Sequence, residues 1–458
     1  MSARWRLAVE GLGRIEAADA EIRPLTLLIG ENNSGKSYFA TLLWGLFAAG
    51  WALPSPEGPA LSDCDAWARE KLPPGAQRFD RALTEAETAM FQRLFDAAIE
   101  AGKDALLERL FRSKKIRARS IRFRSVSPTS ELRWTHGYDP ELGHTLRRSV
   151  PGNDEAFTLS GPDHEGASRV AVSALRNGSV LGDAAPSIGA LKRGTDRYQP
   201  GDPMFIPASR TGYMHLYREV VRQRFEVGPQ PGTNGDGALT LPAFHFLDFV
   251  AFGAGNAPYR FHEDACALIE SALTGHIEVS TGGGANEVTY AMDGLVDRLS
   301  MPLSSALVSE LAPLLLVLRG AHPLRLLILE EPESHLHPKL QRVVARAIVR
   351  LIRAGVVVVV TTHSATFCQQ INNFIKLGSL PPEARHRAIA ARGYEEADYL
   401  LTDEVVGHRF DVGDDGKTRV SELQRTESGI VMPPFNRELA DLSEEVRFLQ
   451  DLLAEERS

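Results

Sequence analysis

Three observations predict an α/β fold built on a mixed sheet with a parallel core and flanking helices. A glycine-bearing loop, Gly30 to Ser37, lies between a short apolar run, Pro24 to Ile29, and a helical pattern. A second unbroken apolar run, Leu326 to Leu329, closes on two glutamates, and a third, Val356 to Val360, closes on Thr361-Thr362-His363-Ser364. Apolar runs without polar alternation mark strands buried on both faces, which is the condition of a parallel sheet.

The loop comes first. Gly30, Glu31, Asn32, Asn33, Ser34, Gly35, Lys36 and Ser37 stand at the spacing G-x-x-x-x-G-K-S. Glycines permit the backbone conformations that turn successive N–H groups inward on an anion. Lys36 adds a point charge for the β- and γ-phosphates, and the Ser37 hydroxyl is a magnesium ligand. Phe39, Leu42, Leu43, Leu46 and Phe47 follow at steps of three and four, so a helix starts at the loop and directs its positive end onto the phosphates. The loop is read as a nucleoside triphosphate site.

Phosphoryl transfer needs one acid for the magnesium shell and one to polarise the attacking water. Glu330 and Glu331 end the second run, and adjacent residues there point in different directions. Glu330 is assigned to magnesium and Glu331 to the water. His363 stands at the carboxyl end of the third strand, where open α/β sheets place their ligands, and is expected to face the γ-phosphate.

These motifs, with Leu303-Ser-Ser-Ala-Leu-Val-Ser-Glu-Leu311, resemble the ABC-type P-loop ATPases of the OLD-like class (overcoming lysogenization defect) and their SMC-like relatives, many of them bacterial defence ATPases. The resemblance covers the first fifty or so residues and the region from about Met204 onward. It implies ATP with Mg2+ and a head-to-head homodimer enclosing two nucleotides. Ser304 or Ser305 would cap the partner's γ-phosphate, Ser334 to His337 would cross the interface, and His363 would be the switch histidine. The chain departs from the pattern in carrying Ser305-Ala306 where relatives carry Ser-Gly, and Glu330 where most carry Asp. The glutamine that joins magnesium to the regulatory lobe has no counterpart in the sequence reading.

The expected organisation is an ATPase head in two parts, residues 1–51 and 204–458. A mixed inserted lobe occupies 52–203 and a helical insertion about 213–272. Leu7 to Ile29 reads as two or three antiparallel strands turning at Gly11 and Gly13. Prolines punctuate a linker-like stretch after Trp51, and a helical pattern runs from about Asp80 to Phe111. Residues 140–201 read as loops and short strands. Ile277–Ser280 and Val288–Met292 read as a hairpin. Pro338 and Gly355 bracket a helix that carries an arginine stripe, Arg342, Arg346, Arg350 and Arg353. Residues 436–458 space Leu439, Leu442, Val446, Leu449 and Leu453 as one face of an amphipathic helix.

Arg112 to Arg124 is the most basic segment. It is read either as an edge strand whose charges block unwanted pairing or as a contact for nucleic-acid phosphates. A formal net charge of −8 excludes a polycation that coats nucleic acid as a whole. With 458 residues, 43% hydrophobic and 24% charged, the chain has ample core for two or three domains. No apolar run reaches membrane-spanning length. Three dispersed cysteines and an N-terminus without a leader pattern set a cytoplasmic expectation. No TOPRIM nuclease pattern follows His363; Asp411, Asp414 and Asp415 surround glycines in hairpin fashion. The expected function is therefore an ATPase that gates a separate effector, a nuclease or toxin, in phage defence. The alternative is an SMC-like clamp that grips DNA through Arg112 to Arg124 and needs no effector.

Overall fold

Nine strands form the main sheet in the order β5-β1-β2-β16-β15-β3-β14-β13-β9. They are β1 (Trp5–Leu12), β2 (Ile15–Ile22), β3 (Leu25–Gly30), β5 (Ser120–Ser125), β9 (Met204–Ile206), β13 (Leu326–Glu330), β14 (Val357–Thr362), β15 (Val405–Val412) and β16 (Thr418–Glu422). This computed structural model describes residues 4–48, 53–54, 56–71, 79–126, 133–139, 143–150, 153–159, 172, 175–176, 180, 203–227, 239–255, 261–282, 284–294, 296–320, 323–432 and 441–450.

Five neighbours, β15, β3, β14, β13 and β9, run parallel. Their registers align the carboxyl ends: Ile29 lies beside Thr362, Glu330 beside Thr361, Leu329 beside Ile206, and Gly30 beside Phe410. The apolar runs are buried on both faces, as their lack of alternation requires. Leu25, Leu27, Ile29, Leu327, Leu329, Val358 and Val360 face one core, with the helices Ala306–Leu318, Pro338–Arg353 and Ala365–Ser379. Leu28, Leu326, Ile328, Val357 and Val359 face the other, with the helix Lys36–Ala48. Phe39, Trp44 and Phe47 of that helix are buried, and each such side chain contributes on the order of 3 kcal/mol of apolar transfer energy.

The first three strands do not form one antiparallel unit. β1 and β2 pair antiparallel, but β3 leaves them to sit between β14 and β15. An unbroken apolar strand such as Leu25–Gly30 needs cover on both sides, which only the interior of the sheet supplies.

The 52–203 stretch contributes to the head sheet as well as to a structure of its own. β5 pairs antiparallel with β1 and closes one edge of the main sheet. The long helix Glu85–Phe111 packs beside it, its Phe95, Ile99 and Leu107 in the same core as Trp44. β4 (Phe79–Ala82), β6 (Arg133–Asp139), β7 (Gly143–Val150) and β8 (Asn153–Leu159) form a separate four-stranded sheet. The linker-like prolines include Pro59, which opens a helix, Pro59–Lys71; Pro73 and Pro74 lie outside the described residues, as does most of 160–202.

Between 204 and 320 the chain is mostly helical: Arg210–Val227, Leu241–Asp248 continued by a wider turn Phe249–Gly253, and Glu263–Glu270. The expected hairpin forms as β10 (Gly275–Ser280) and β11 (Glu287–Met292), with β12 (Arg298–Ser300) added at its edge. The hairpin around Asp411 to Asp415 joins β15 to β16, and a short pair, β17 (Arg425–Thr426) and β18 (Gly429–Ile430), follows.

The arginine stripe of Pro338–Arg353 is a contact face within the chain. Arg350 and Arg346 converge on the buried Asp398 at 2.8 and 2.6 Å, and Arg353 pairs with Glu404. Residues 441–450 are helical and exposed, including Leu442, Val446 and Leu449; Leu439 and Leu453 lie outside the described residues. Among the described residues no helix is long and apolar enough to cross a membrane.

Candidate functional site

The aligned carboxyl ends of β3, β13 and β14 bring the loop, the acidic pair and the histidine to one edge of the sheet. Gly30 ends β3, and a side-chain carbon there would stand 2.6 Å from the Phe410 carbonyl oxygen, so only glycine fits between β3 and β15. Gly35 has φ +94 and faces Ile15 closely, a position that a Cβ would overfill as well as strain. Glu31, Asn32 and Asn33 form an exposed crest, whereas Ser34 and Lys36 are buried beneath it. The Lys36 ammonium donates to the carbonyls of Gly30 and Glu31 at 2.7 and 2.6 Å. Burial lowers its pKa, opposed by the nearby carboxylates of Glu331, Glu333, Glu330 and Glu31. The ammonium therefore sits inside an acidic surround with its loop already folded about it.

Glu330 is the last residue of β13 and is buried. Its Oε2 accepts from the Ala208 N–H at 3.2 Å, and the Ser37 hydroxyl is close enough to favour the charged carboxylate. Burial pushes its pKa up, while Ser37 and Ala208 act against that shift. The other oxygen, Oε1, is buried with no hydrogen-bond partner among the described residues. An orphaned carboxylate oxygen beside a hydroxyl is a hard-oxygen donor set, the kind a magnesium ion takes through one carboxylate while keeping water and phosphate ligands. The residues present fit that ion.

Glu331 leaves the strand with φ +43, a left-handed conformation that costs a non-glycine residue about 1–2 kcal/mol. Its N–H donates to the Thr361 carbonyl at 2.9 Å, and its Oε2 accepts from the Ser334 hydroxyl at 3.2 Å. His363 is half-exposed at the end of β14. Its Nδ1 lies 3.8 Å from Glu331 Oε1 and 3.5 Å from Glu333 Oε1.

Glu333 stands outside the motifs of the sequence. It is buried, and its Oε1 accepts from the Thr362 hydroxyl and the His363 N–H, both at 2.8 Å. It thereby ties the acidic segment to the end of β14 and adds a third carboxylate near Lys36. Its signal is a third acid, three residues past the end of β13, in Glu330-Glu331-Pro332-Glu333. Arg210 is 2% exposed and turned toward the backbone of Glu330 and Glu331.

Ser304 and Ser305 are placed at the start of the helix Ala306–Leu318. Ser305 is its exposed N-cap, accepting from the Val308 N–H at 3.4 Å. The Ser304 hydroxyl donates to the Met301 carbonyl at 2.7 Å and lies 3.2 Å from the Ser309 hydroxyl. These bonds stay within the serines' own segment.

A family model described as "AAA domain, putative AbiEii toxin, Type IV TA system" matches residues 308–368. That span runs from the helix after Ser305 through β13 and β14 to just past His363. No curated protein matches the chain. Among solved structures, an SMC head bound to the C-terminal winged-helix domain of ScpA is 12% identical with a TM-score of 0.36, covering 92% of this chain and 97% of that one. The SMC head domain from Thermotoga maritima is 11% identical with a TM-score of 0.30, covering 93% and 100%. An Smc head with an extended coiled coil, bound to the C-terminal domain of ScpA derived from Pyrococcus furiosus, is 12% identical with a TM-score of 0.36, covering 98% and 100%. Similarities this distant carry no argument about the site.

Proposed function

We propose that this chain is a P-loop ATPase head, a Mg2+-dependent ATPase that closes into a nucleotide-sandwich homodimer. The observation that carries the reading is the convergence of Lys36, Ser37, Glu330, Glu331 and His363 at one edge of the sheet, from three strands aligned in register.

The phosphate loop Gly30–Ser37 binds the triphosphate through its backbone N–H groups, and Lys36 neutralises charge on the β- and γ-phosphates. Ser37 and Glu330 would hold magnesium, which would supply positive charge against the phosphate oxygens. Glu331 orients and polarises the attacking water, and His363 donates to the γ-phosphate. Ser304 and Ser305 complete the site of the second subunit; the exposure of the Ser305 cap supports a role outside its own chain. Such a head gates a separate nuclease or toxin in defence against phage.

Light scattering tests the dimer. In Mg-ATP, Glu331→Gln is expected to run as a dimer and Lys36→Ala as a monomer; equal mass with and without nucleotide in Glu331→Gln rejects the sandwich. Mass spectrometry of what co-purifies with Glu331→Gln tests the effector, and a stoichiometric second protein is the expected result.

A second reading, a DNA clamp, is favoured by one feature. β5 is an edge strand with Ile121 and Phe123 inward and Arg122 and Arg124 exposed, beside exposed Arg117 and Arg119. Part of that charge is already answered, since Arg117 and Lys114 lie 3.9 and 3.7 Å from Asp104 and Glu108. Salt-dependent DNA binding that disappears when these arginines are neutralised would establish the clamp.

A further inference from the structure

We propose that Arg210, held by Glu310, is a positioning residue that sets the conformation of Glu331. The inference rests on the reading of Glu331 as the residue that polarises water. Arg210 follows β9, the strand beside β13, so its side chain starts next to the acidic strand end. Its Nη1 donates to the Glu330 carbonyl at 2.7 Å and its Nη2 to the Glu331 carbonyl at 3.0 Å. A guanidinium fork thus grips two successive backbone carbonyls on either side of the turn where Glu331 takes φ +43.

A left-handed glutamate persists only where its surroundings over-determine it. The Glu331 N–H is fixed on Thr361, and its carbonyl and that of Glu330 are fixed on Arg210. With either hold released the peptide plane relaxes toward the right-handed region, and the carboxylate leaves the side of the sheet edge shared with His363.

The guanidinium is buried and needs a counter-charge. Glu310 supplies it from the helix Ala306–Leu318, with Arg210 Nε 2.5 Å from its Oε2. The other carboxylate oxygen receives the Thr211 hydroxyl and lies 2.9 Å from His335 Nδ1. Glu310 therefore fixes Arg210 and also touches the segment Ser334 to His337. Arg210 does not reach the nucleotide site itself, which makes it a support rather than a catalytic residue.

Lysine keeps the charge against Glu310 but lacks the fork that spans two carbonyls. In the full chain, Arg210→Lys should lower kcat on the order of tenfold or more while KM for Mg-ATP stays within about twofold, the pattern of an interaction realised in the transition state. In a Glu331→Gln background the same lysine should change the residual turnover by no more than about twofold, because residues acting through one another are not additive. A support of the fold alone would move KM and the residual rate as well. The combined Arg210→Met and Glu310→Met replacement fills the site with apolar atoms, a swap that buried ion pairs often tolerate. It should bind Mg-ATP as the wild type does and show the same loss of kcat. Wild-type kcat in Arg210→Lys, or a full additional loss in the Glu331→Gln background, overturns the proposal. Failure of the ATPase reading looks different: the wild-type chain would itself lack turnover that Lys36→Ala removes.

Discussion

Two buried arginine–carboxylate pairs in this molecule have the same chemistry and different surroundings. Arg210 meets Glu310 behind the acidic strand end, and Arg350 meets Asp398 on the outward side of the helix Pro338–Arg353. Both carboxylates are fully enclosed and both guanidinium groups nearly so. The outer pair ties a helix to the segment leading into β15: Asp398 also receives Arg346 and the Glu395 N–H, and Arg350 also reaches Glu395. Every partner there is a side chain or loop amide remote from the phosphate loop. The inner pair instead spends its donors on the carbonyls of the two residues proposed for magnesium and water. A buried ion pair is thus weak evidence of purpose by itself, and what the remaining donors hold decides its role.

Several substitutions separate the two regions. The largest effect is expected at the site: Lys36→Ala should abolish measurable Mg-ATP binding in a chain that still melts cooperatively, which calorimetry reads directly. Glu331→Gln comes next, with affinity kept and turnover down on the order of a thousandfold, checked by single-turnover hydrolysis. At the outer pair the effect should move from rate to stability. Replacing Arg346 and Arg350 together by alanine leaves Asp398 buried without either guanidinium and should cost about 3–5 kcal/mol in denaturant unfolding, with kcat per folded molecule within about twofold of wild type. A large fall in kcat there would erase the contrast between the pairs. The smallest effect belongs to the sheet edge. Neutralising Arg122 and Arg124 should change stability by no more than about 0.5 kcal/mol, since both are exposed on β5, and should leave Mg-ATP turnover intact. A DNA-stimulated rate that this pair of changes removes would shift the account toward the clamp.

The same contrast explains what the sequence made legible. The phosphate loop is eight contiguous residues between a strand and a helix, so its geometry is local and its spacing readable. The acidic and histidine strands announce themselves by apolar runs that only a parallel core can bury. β3 joins the parallel core as its unbroken apolar run requires, and of the two or three antiparallel strands expected before the loop only β1 and β2 pair that way. β5 was read within an inserted lobe because its partner, β1, lies more than a hundred residues earlier, and pairing at that distance leaves no mark in periodicity. Arg210 and Glu310 are separated by a comparable stretch, and neither stands in a motif that names the other. Glu333 is closer to view, yet an acid three residues past a strand reads as a turn until Thr362 and His363 are seen to donate to it.

The most direct test is Mg-ATP turnover by the purified chain beside Lys36→Ala and Glu331→Gln. Hydrolysis in the wild type, no nucleotide binding in Lys36→Ala, and tight binding without turnover in Glu331→Gln are the predicted results. Wild-type turnover in Glu331→Gln would contradict the assignment of the water-polarising residue and, with it, the role given to Arg210.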